Sequence, residues 1–543
     1  MFTNKKSLLA LSVASAFALT GCFSDDDNNK PVPDDGGDGG DGGVVIVSPE
    51  APAELSFVVS GSVVQSNDED EFDVIGDATV RFLESGVAST SIVDVDGNQV
   101  QSLDLGDEGS FLVTRKSDST TSSVTAIVSA PGFVTKAFSV DLSNEDDNDV
   151  LVAQFLLTPT DEEGLAADAE VSTSISGSTT TADIVADATP EGGSSLASAT
   201  LPTGITLQNA DGEAVTGSEV TLNVLGTDPS TETKNLVLPE GLNSDDESDN
   251  VAVPVSLANV TLSVDGTSVK KFAGDTLNVT LAAPADLDAG EELTVSSLDE
   301  ETGIWMPETF PVTKGAGTVS FDTDHLTWFS VNKSVPVCTD GLTVNFTGDA
   351  VPTGGLTLAA YSSDGFLWSR VGAGSTSRVV PPGFLKRYGI SSDATATVVV
   401  FDRDGAIWGE TENEVAVCGT VDDFALASPY TYVDKTLTIT GSCANDSEVA
   451  VDVSNSAVRY KRDGKAVRTA LKDADGNFQL TNLREGENYE VTVNFRSLSS
   501  KLEGSNTITL DSVTGDDLTQ NFEFTCDEVT GSGGSGGSGG TGG

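Results

Sequence analysis

The sequence predicts an all-β protein, built of tandem β-sandwich modules on a flexible N-terminal tether. Three observations lead there. Gly, Val, Thr, Ser and Asp dominate a chain of 543 residues that has only two Met, four Trp and six Tyr. Val and Thr favour strands, whereas Asp-Gly and Asn punctuate turns. Apolar residues alternate at period two in many short runs, as half-buried strands require. At about 150 residues per domain the length calls for three to five domains, fewer once linkers are removed.

The chain opens on Lys5 and Lys6, followed by an apolar run from Leu8 to Leu19 that ends in Leu19-Thr20-Gly21-Cys22. A basic start, an apolar stretch too short to span a bilayer and small residues at the end form a secretory leader, 1–21. Its last four residues resemble the lipobox of bacterial lipoproteins. That resemblance implies cleavage before Cys22, acylation of Cys22 and export of everything after it. An ordinary signal peptide with a stray Cys is the alternative. Phe23, in place of Asp, by the same resemblance favours the outer membrane, and the acidic stretch that follows resembles surface-export signals. Residues 22–54 read as an acidic Gly/Asp-rich tether, with seven Asp and one Lys between Cys22 and Gly43 and no apolar surface to offset the entropy of ordering.

Residues 55–160 form the first expected module. Leu55-x-Phe57-x-Val59 and Ala78-x-Val80-x-Phe82 alternate, and Gly109-Ser110-Phe111, Val124–Val128, Ala130-Pro131-Gly132-Phe133 and Val152–Leu157 follow. That order resembles the carboxypeptidase-regulatory-like module, which implies a seven-stranded transthyretin-like sandwich. Residues 161–198 lose the alternation and are rich in Ala, Ser, Thr and Asp, so they read as a linker. A β-sandwich module at 199–336 turns on Asp211-Gly212 and Asp265-Gly266. It closes with the acidic turn Asp299–Glu301, Trp305 and His325-Leu326-Thr327-Trp328. This ending resembles the surface β-domains of cartilage intermediate layer protein. A third module, 337–436, repeats an aromatic, Asp-Gly, apolar-Trp pattern at Tyr361–Trp368 and Phe401–Trp408, as two hairpins would. The fourth, 437–527, carries Asp475-Gly476-Asn477-Phe478-Gln479-Leu480, then Leu483, Gly486 and Tyr489, and again resembles the carboxypeptidase-regulatory-like pattern. Residues 528–543 read as a flexible Gly/Ser tail.

Five Cys are present. With Cys22 assigned to lipid, Cys338, Cys418, Cys443 and Cys526 remain, and in an exported chain they read as two disulfides with three pairings open. Cys338–Cys418 and Cys443–Cys526 are preferred because each pair brackets one module. Alternation also puts Cys443 on the face of Leu437 and Ile439, and Cys526 on the face of Phe522 and Phe524.

Eighty-five acidic against 27 basic residues give a formal charge of −58. Such a balance opposes nucleic-acid binding and keeps a surface hydrated. The chain has one histidine, His325, in an alternating strand beside Trp328, which suits a structural role better than general-base work. Outside the Gly/Ser tail no G-x-S-x-G elbow is present, and no H-x-x-E zinc pair and no second imidazole offers an active site, so the expectation is a non-enzyme without a cofactor. Calcium is the one metal to weigh. Asp94–Gly97, Asp402–Gly405 and Asp473–Gly476 look like parts of an EF-hand loop, but each lacks the first ligand and is explained by an Asp-Gly hairpin turn. The acidic loops 67–73, 144–149 and 243–250 could hold calcium or simply be solvated loop tips.

These readings converge on a lipid-anchored outer-membrane protein facing the cell exterior, structural or adhesive in role. A polysaccharide-binding lipoprotein, using Trp368 and Trp408 as stacking platforms, and a periplasmic envelope assembly factor are the alternatives. Surface proteins or polysaccharide are the expected partners, beside the membrane reached through the N-terminal lipid.

Overall fold

In each of three modules the first and last strands lie side by side and parallel, which in two of them brings distant cysteines together. The computed structural model describes residues 44–53, 57–67, 71–143, 150–244 and 248–530. Cys22, Phe23, most of the tether, the loop 144–149 and the tail beyond 530 lie outside the described residues. The chain divides into two compact units, one of 1–45 with 528–543 and one of 46–527.

Module 1 contains β1 (Val58–Ser66), β2 (Phe72–Val74), β3 (Thr79–Glu84), β4 (Ser110–Arg115), β5 (Ser123–Ser129), β6 (Lys136–Asp141) and β7 (Val150–Leu156). One sheet is built on β6-β5-β3 and the other on β7-β1-β4. β7 runs parallel to β1, with Val150 opposite Val58 and Leu156 opposite Val64. Gly61 faces Phe111 across the β1–β4 pair, and a Cβ at Gly61 would overlap the Phe111 ring. Phe82, Phe111, Phe138 and Phe155 fill the core between the sheets.

Module 2 starts earlier than the sequence suggests. Residues 161–198, expected as a linker, supply β8 (Leu165–Ser172), β9 (Ile184–Ala188) and the start of β10 (Ala197–Leu201). β9 alternates without a break: Ile184, Ala186 and Ala188 are buried while Val185 and Asp187 are exposed. The core side is carried largely by alanine, so the period-two pattern is present while the hydrophobicity that usually reveals it is low. The main elements that follow are β11 (Val220–Thr227), α1 (Thr233–Val237), β12 (Asn250–Val264), β13 (Leu277–Ala282), β14 (Leu293–Asp299), β15 (Thr318–Thr323) and β16 (Trp328–Pro336). One sheet runs β8-β11-β12-β16-β14 and the facing one β9-β10-β13-β15.

Module 3 comprises β17 (Leu342–Gly348), β18 (Leu356–Ser362), β19 (Phe366–Val371), β20 (Ser377–Val380), α2 (Pro382–Arg387), β21 (Thr395–Phe401), β22 (Ile407–Glu410) and β23 (Gly419–Leu426). Both expected Asp-Gly hairpins form, joining β18 to β19 and β21 to β22. Module 4 has β24 (Tyr432–Cys443), β25 (Ala457–Lys461), β26 (Phe478–Arg484), β27 (Tyr489–Asn494), β28 (Thr507–Leu510) and β29 (Leu518–Phe524). β24 crosses the expected boundary at 436/437, and the Tyr432 ring near its start stacks on Trp408 of module 3 at 5.6 Å. Each of the four modules has its own hydrophobic core.

Parallel pairing accounts for the disulfides. β17 lies parallel to β23 with Leu342 opposite Gly419, so Cys338 and Cys418, just before those strands, reach one another with Cα atoms 5.6 Å apart. β24 is parallel to β29 with Cys443 opposite Phe524, and Cys443 bonds Cys526 across 5.5 Å. Two segments expected to be flexible also carry strands, Val44–Val47 in the tether and Asp527–Thr530 before the tail. Val44-Val45-Ile46-Val47 is wholly β-branched, which is enough to favour extended structure.

Candidate functional site

The residues that matter most converge where modules 1, 3 and 4 touch, and charge chemistry dominates there. Module 1 contributes Glu71, on the turn from β1 into β2. Module 3 contributes Asp402 and Asp404 from the β21–β22 turn. Module 4 contributes Arg462, Lys465, Arg468 and Arg484. The approach is close enough that Gly405 is obligatory: a Cβ there would sit 2.8 Å from both Glu71 Cα and the Phe72 nitrogen, at φ +94°. Beside the charges, Val64, Phe72, Ala359, Val399, Phe401 and Ala466 form a small apolar cluster drawn from all three modules.

Within the joint the pairing is dense. Asp404 Oδ2 accepts from Arg462 Nη2 and from the guanidinium of Arg468, each at 2.9 Å. Glu71 Oε1 accepts from Arg484 Nη1 at 2.6 Å, while Glu71 Oε2 is 3.0 Å from Lys465 Nζ. Lys465 also donates to Asp73 Oδ1 at 2.7 Å. The Arg484 guanidinium lies 3.8 Å over the Tyr430 ring, a cation–π arrangement. Asp402 plays a different part. Its Oδ1 accepts the backbone N–H groups of Asp404 and Ala406, and its Oδ2 accepts from the Tyr432 hydroxyl at 2.6 Å. Two backbone bonds cross between modules as well: Phe72 N–H donates to the Asp404 carbonyl at 2.7 Å and Val74 N–H to the Gly464 carbonyl at 3.2 Å.

Burial and charge pull these groups apart in acidity. Burial alone would raise Asp404, but Arg468 and Arg462 overcome it and hold the carboxyl well below the usual range. Burial likewise raises Glu71, and Lys465 and Arg484 reverse it to a net depression. Asp402 is pushed up, first by burial and then by the adjacent charge of Asp404. Arg403, buried and close to Arg468, is lowered to about 10. Fixed, mutually neutralised charges of this kind hold surfaces in register.

The residues singled out from sequence fall in several places. Trp408 is 4% exposed inside module 3, so it is a core side chain and not a stacking platform. Trp368 is half-buried, packed against Phe72 and Phe401 at 5.4 and 5.5 Å, and stands in the wall of a cavity lined by all four modules. His325 lies between Phe310 and Phe329, with Nε2 3.4 Å from Glu308 and Nδ1 3.0 Å from Asp324. Trp328 is buried with Val134, Leu165 and Leu298 where modules 1 and 2 meet. The three Asp-x-Asp-Gly segments share one geometry, in which the first Asp carboxylate accepts backbone N–H groups two and four residues on. That carboxylate is engaged in its own turn. Among the described residues no group of three His, Cys, Asp or Glu side chains is arranged to hold a metal ion.

Sequence reasoning did not find the joint, although a signal existed. Seven of the 27 basic residues fall between Arg459 and Arg484, a strong concentration in so acidic a chain.

No protein-family model matches the sequence, and no curated protein matches it. Solved structures with which it aligns include the minor pilin GBS52 of Streptococcus agalactiae, at 9% identity and TM-score 0.17, over 34% of this chain and 95% of that one. The full-length major pilin SpaD of Corynebacterium diphtheriae aligns at 8% identity and TM-score 0.15, over 87% and 97%. Two B repeat units of the collagen-binding protein of Staphylococcus aureus align at 12% and 0.13, over 86% and 99%. Scores this low carry no argument about this chain.

Proposed function

We propose that this chain is a non-enzymatic structural or adhesive protein of the cell surface, anchored in the outer membrane by lipid on Cys22. The observation that carries the reading is the charge joint. A protein poor in cations spends four of them, from one module, on fixing two other modules in register. Breaking such buried pairs is costly, about 3–5 kcal/mol when one partner is removed, so the joint favours a single arrangement of modules 1, 3 and 4. Disulfides closing modules 3 and 4 suit an oxidising exterior. The lipobox-like Leu19–Cys22 supplies the anchor.

Two experiments test this. Protease applied to intact cells, with a lysed control and antibodies to modules 3 and 4, should remove both signals from intact cells. Full protection in intact cells and loss after lysis would overturn the surface assignment and leave a periplasmic envelope scaffold. Metabolic labelling with a clickable fatty acid should mark the protein and fail for Cys22→Ser. Equal labelling of that variant would overturn the anchor.

A further inference from the structure

We infer that the cavity where the four modules meet binds an anionic, hydroxyl-bearing ligand of one or two sugar rings, an acidic saccharide of the uronate type. The cavity, about 340 Å³, lies between β6 and β7 of module 1, the segment after α1 in module 2, β19 of module 3 and the β26 side of module 4. That volume falls within the range of about 300–1,000 Å³ in which small-molecule sites occur.

Three independent features of its wall define the ligand. First, Asn235 Oδ1, Trp368 Nε1 and Arg403 Nε are buried, have no hydrogen-bond partner, and belong to residues of this wall. Asn235 is only 4% exposed. An unpartnered buried polar group is unfavourable, and a ligand that reached these atoms on a small shift of the wall would match two donors and one acceptor best with hydroxyls, which both donate and accept. Second, Lys136, Arg370 and Arg387 line the cavity; Lys136 donates to the Leu236 carbonyl, Arg387 to Ser139 Oγ, and the buried Glu240 carboxyl acts on the charge of both, so the exposed Arg370 is the cation most open to a ligand. With 85 acids available to 27 bases, that arrangement leaves cationic surface for an anion. Asp141 and Glu240 are the acids of the wall and offset only part of it, while Arg468 is already matched by Asp404. Burial lowers the Lys136 ammonium to about 8, and the nearby charge of Glu240 works against that lowering. Third, Phe366, Trp368 and Tyr388 present aromatic surface, which suits the C–H face of a sugar ring. Exposed wall residues, Asp141, Arg370 and Leu471, mark the way in.

The test is isothermal titration of the full chain with glucuronate, galacturonate and a di-uronate, with glucose as the neutral control. Saturable one-site binding of a uronate is expected, at least about tenfold tighter than glucose. Arg370→Ala, at an exposed position that leaves the fold intact, should weaken it at least about fivefold, and Trp368→Phe, which keeps a ring but loses the N–H, about threefold or more. Saturation by monosaccharide would identify free sugar as sufficient, and binding of the disaccharide alone would identify a polymer end. Both support the proposal. It is overturned if no uronate binds up to about 20 mM, if glucose binds equally well, or if Arg370→Ala changes nothing. A crystal structure soaked in uronate and showing only ordered water on the three orphan atoms would overturn it as well.

Discussion

Replacing Asp404 with asparagine isolates the charge of the joint while keeping the shape of the turn. The Asp404 side chain is 2% exposed and receives Arg462 and Arg468, themselves 13% and 8% exposed. Removing one member of a buried ion pair costs about 3–5 kcal/mol, because the partner is left buried and uncompensated. The amide keeps one acceptor oxygen, so the lower end, about 3 kcal/mol, is expected. Phe72 N–H and Val74 N–H bond across the module boundary, so their hydrogen exchange reports opening of the joint and not unfolding of a module. Three kcal/mol corresponds to exchange faster by roughly a hundredfold. The Val124 and Val128 amides, inside module 1, should be unchanged. Asp402→Asn is the companion variant. Burial and Asp404 already push the Asp402 carboxyl toward its neutral form, and its acceptor bonds to Asp404 N–H and Ala406 N–H survive in an amide, so its effect should stay within about 1 kcal/mol. The reasoning is refuted if Asp404→Asn accelerates Phe72 exchange less than about threefold, or if both variants act equally.

Acid should open the same joint. Asp404, Glu71 and Asp73 have folded pKa values below their ordinary ones, so their contribution is complete above the unfolded values and fades as pH falls through the folded ones. The raised Asp402 works in the opposite sense and only softens the trend. Phe72 and Val74 protection, corrected for intrinsic exchange, should be full at neutral pH and decline below about pH 4, and unchanged protection at pH 3 would contradict the pairing. Gly405→Ala should force modules 1 and 3 apart, because the new Cβ meets backbone at 2.8 Å. Phe72 exchange should rise while module cores hold, whereas wild-type protection would refute the close approach. Cys338→Ser combined with Cys418→Ser opens a loop with a sequence separation of 80, worth about 4.5 kcal/mol in the chain-entropy model. Calorimetry should show module 3 melting earlier and module 1 unmoved.

Much of the fold was legible because strands bury alternate residues and Asp-Gly turns leave local marks. The hairpins at Asp364-Gly365 and Asp404-Gly405 formed as read, and the all-β class follows from the same signals. β9 was missed because alanine fills two of its three core positions, so the period is there but the hydrophobic amplitude is not, and β8 because it buries only the adjacent Leu165 and Ala166 and shows no alternation. The joint was illegible for another reason. Glu71, Asp404 and Arg484 are far apart in sequence, and an Asp-x-Asp-Gly run reads the same whether its second acid faces water, as Asp475 does, or two buried arginines, as Asp404 does. Only the packing of one module on another distinguishes those environments. Trp408 shows the same limit, since the apolar-Trp pattern of a hairpin is identical for a core ring and an exposed one.

A double-mutant cycle on Glu71 of module 1 and Arg484 of module 4 tests most directly whether charge pairing holds these modules in register. The two side chains meet at 2.6 Å, 11% and 4% exposed. Glu71→Gln, Arg484→Met and the double variant would be compared by the opening free energies of the Phe72 and Val74 amides. The account predicts a coupling of about 2 kcal/mol between the two sites. A coupling below about 0.5 kcal/mol, with the single effects simply adding, would contradict it.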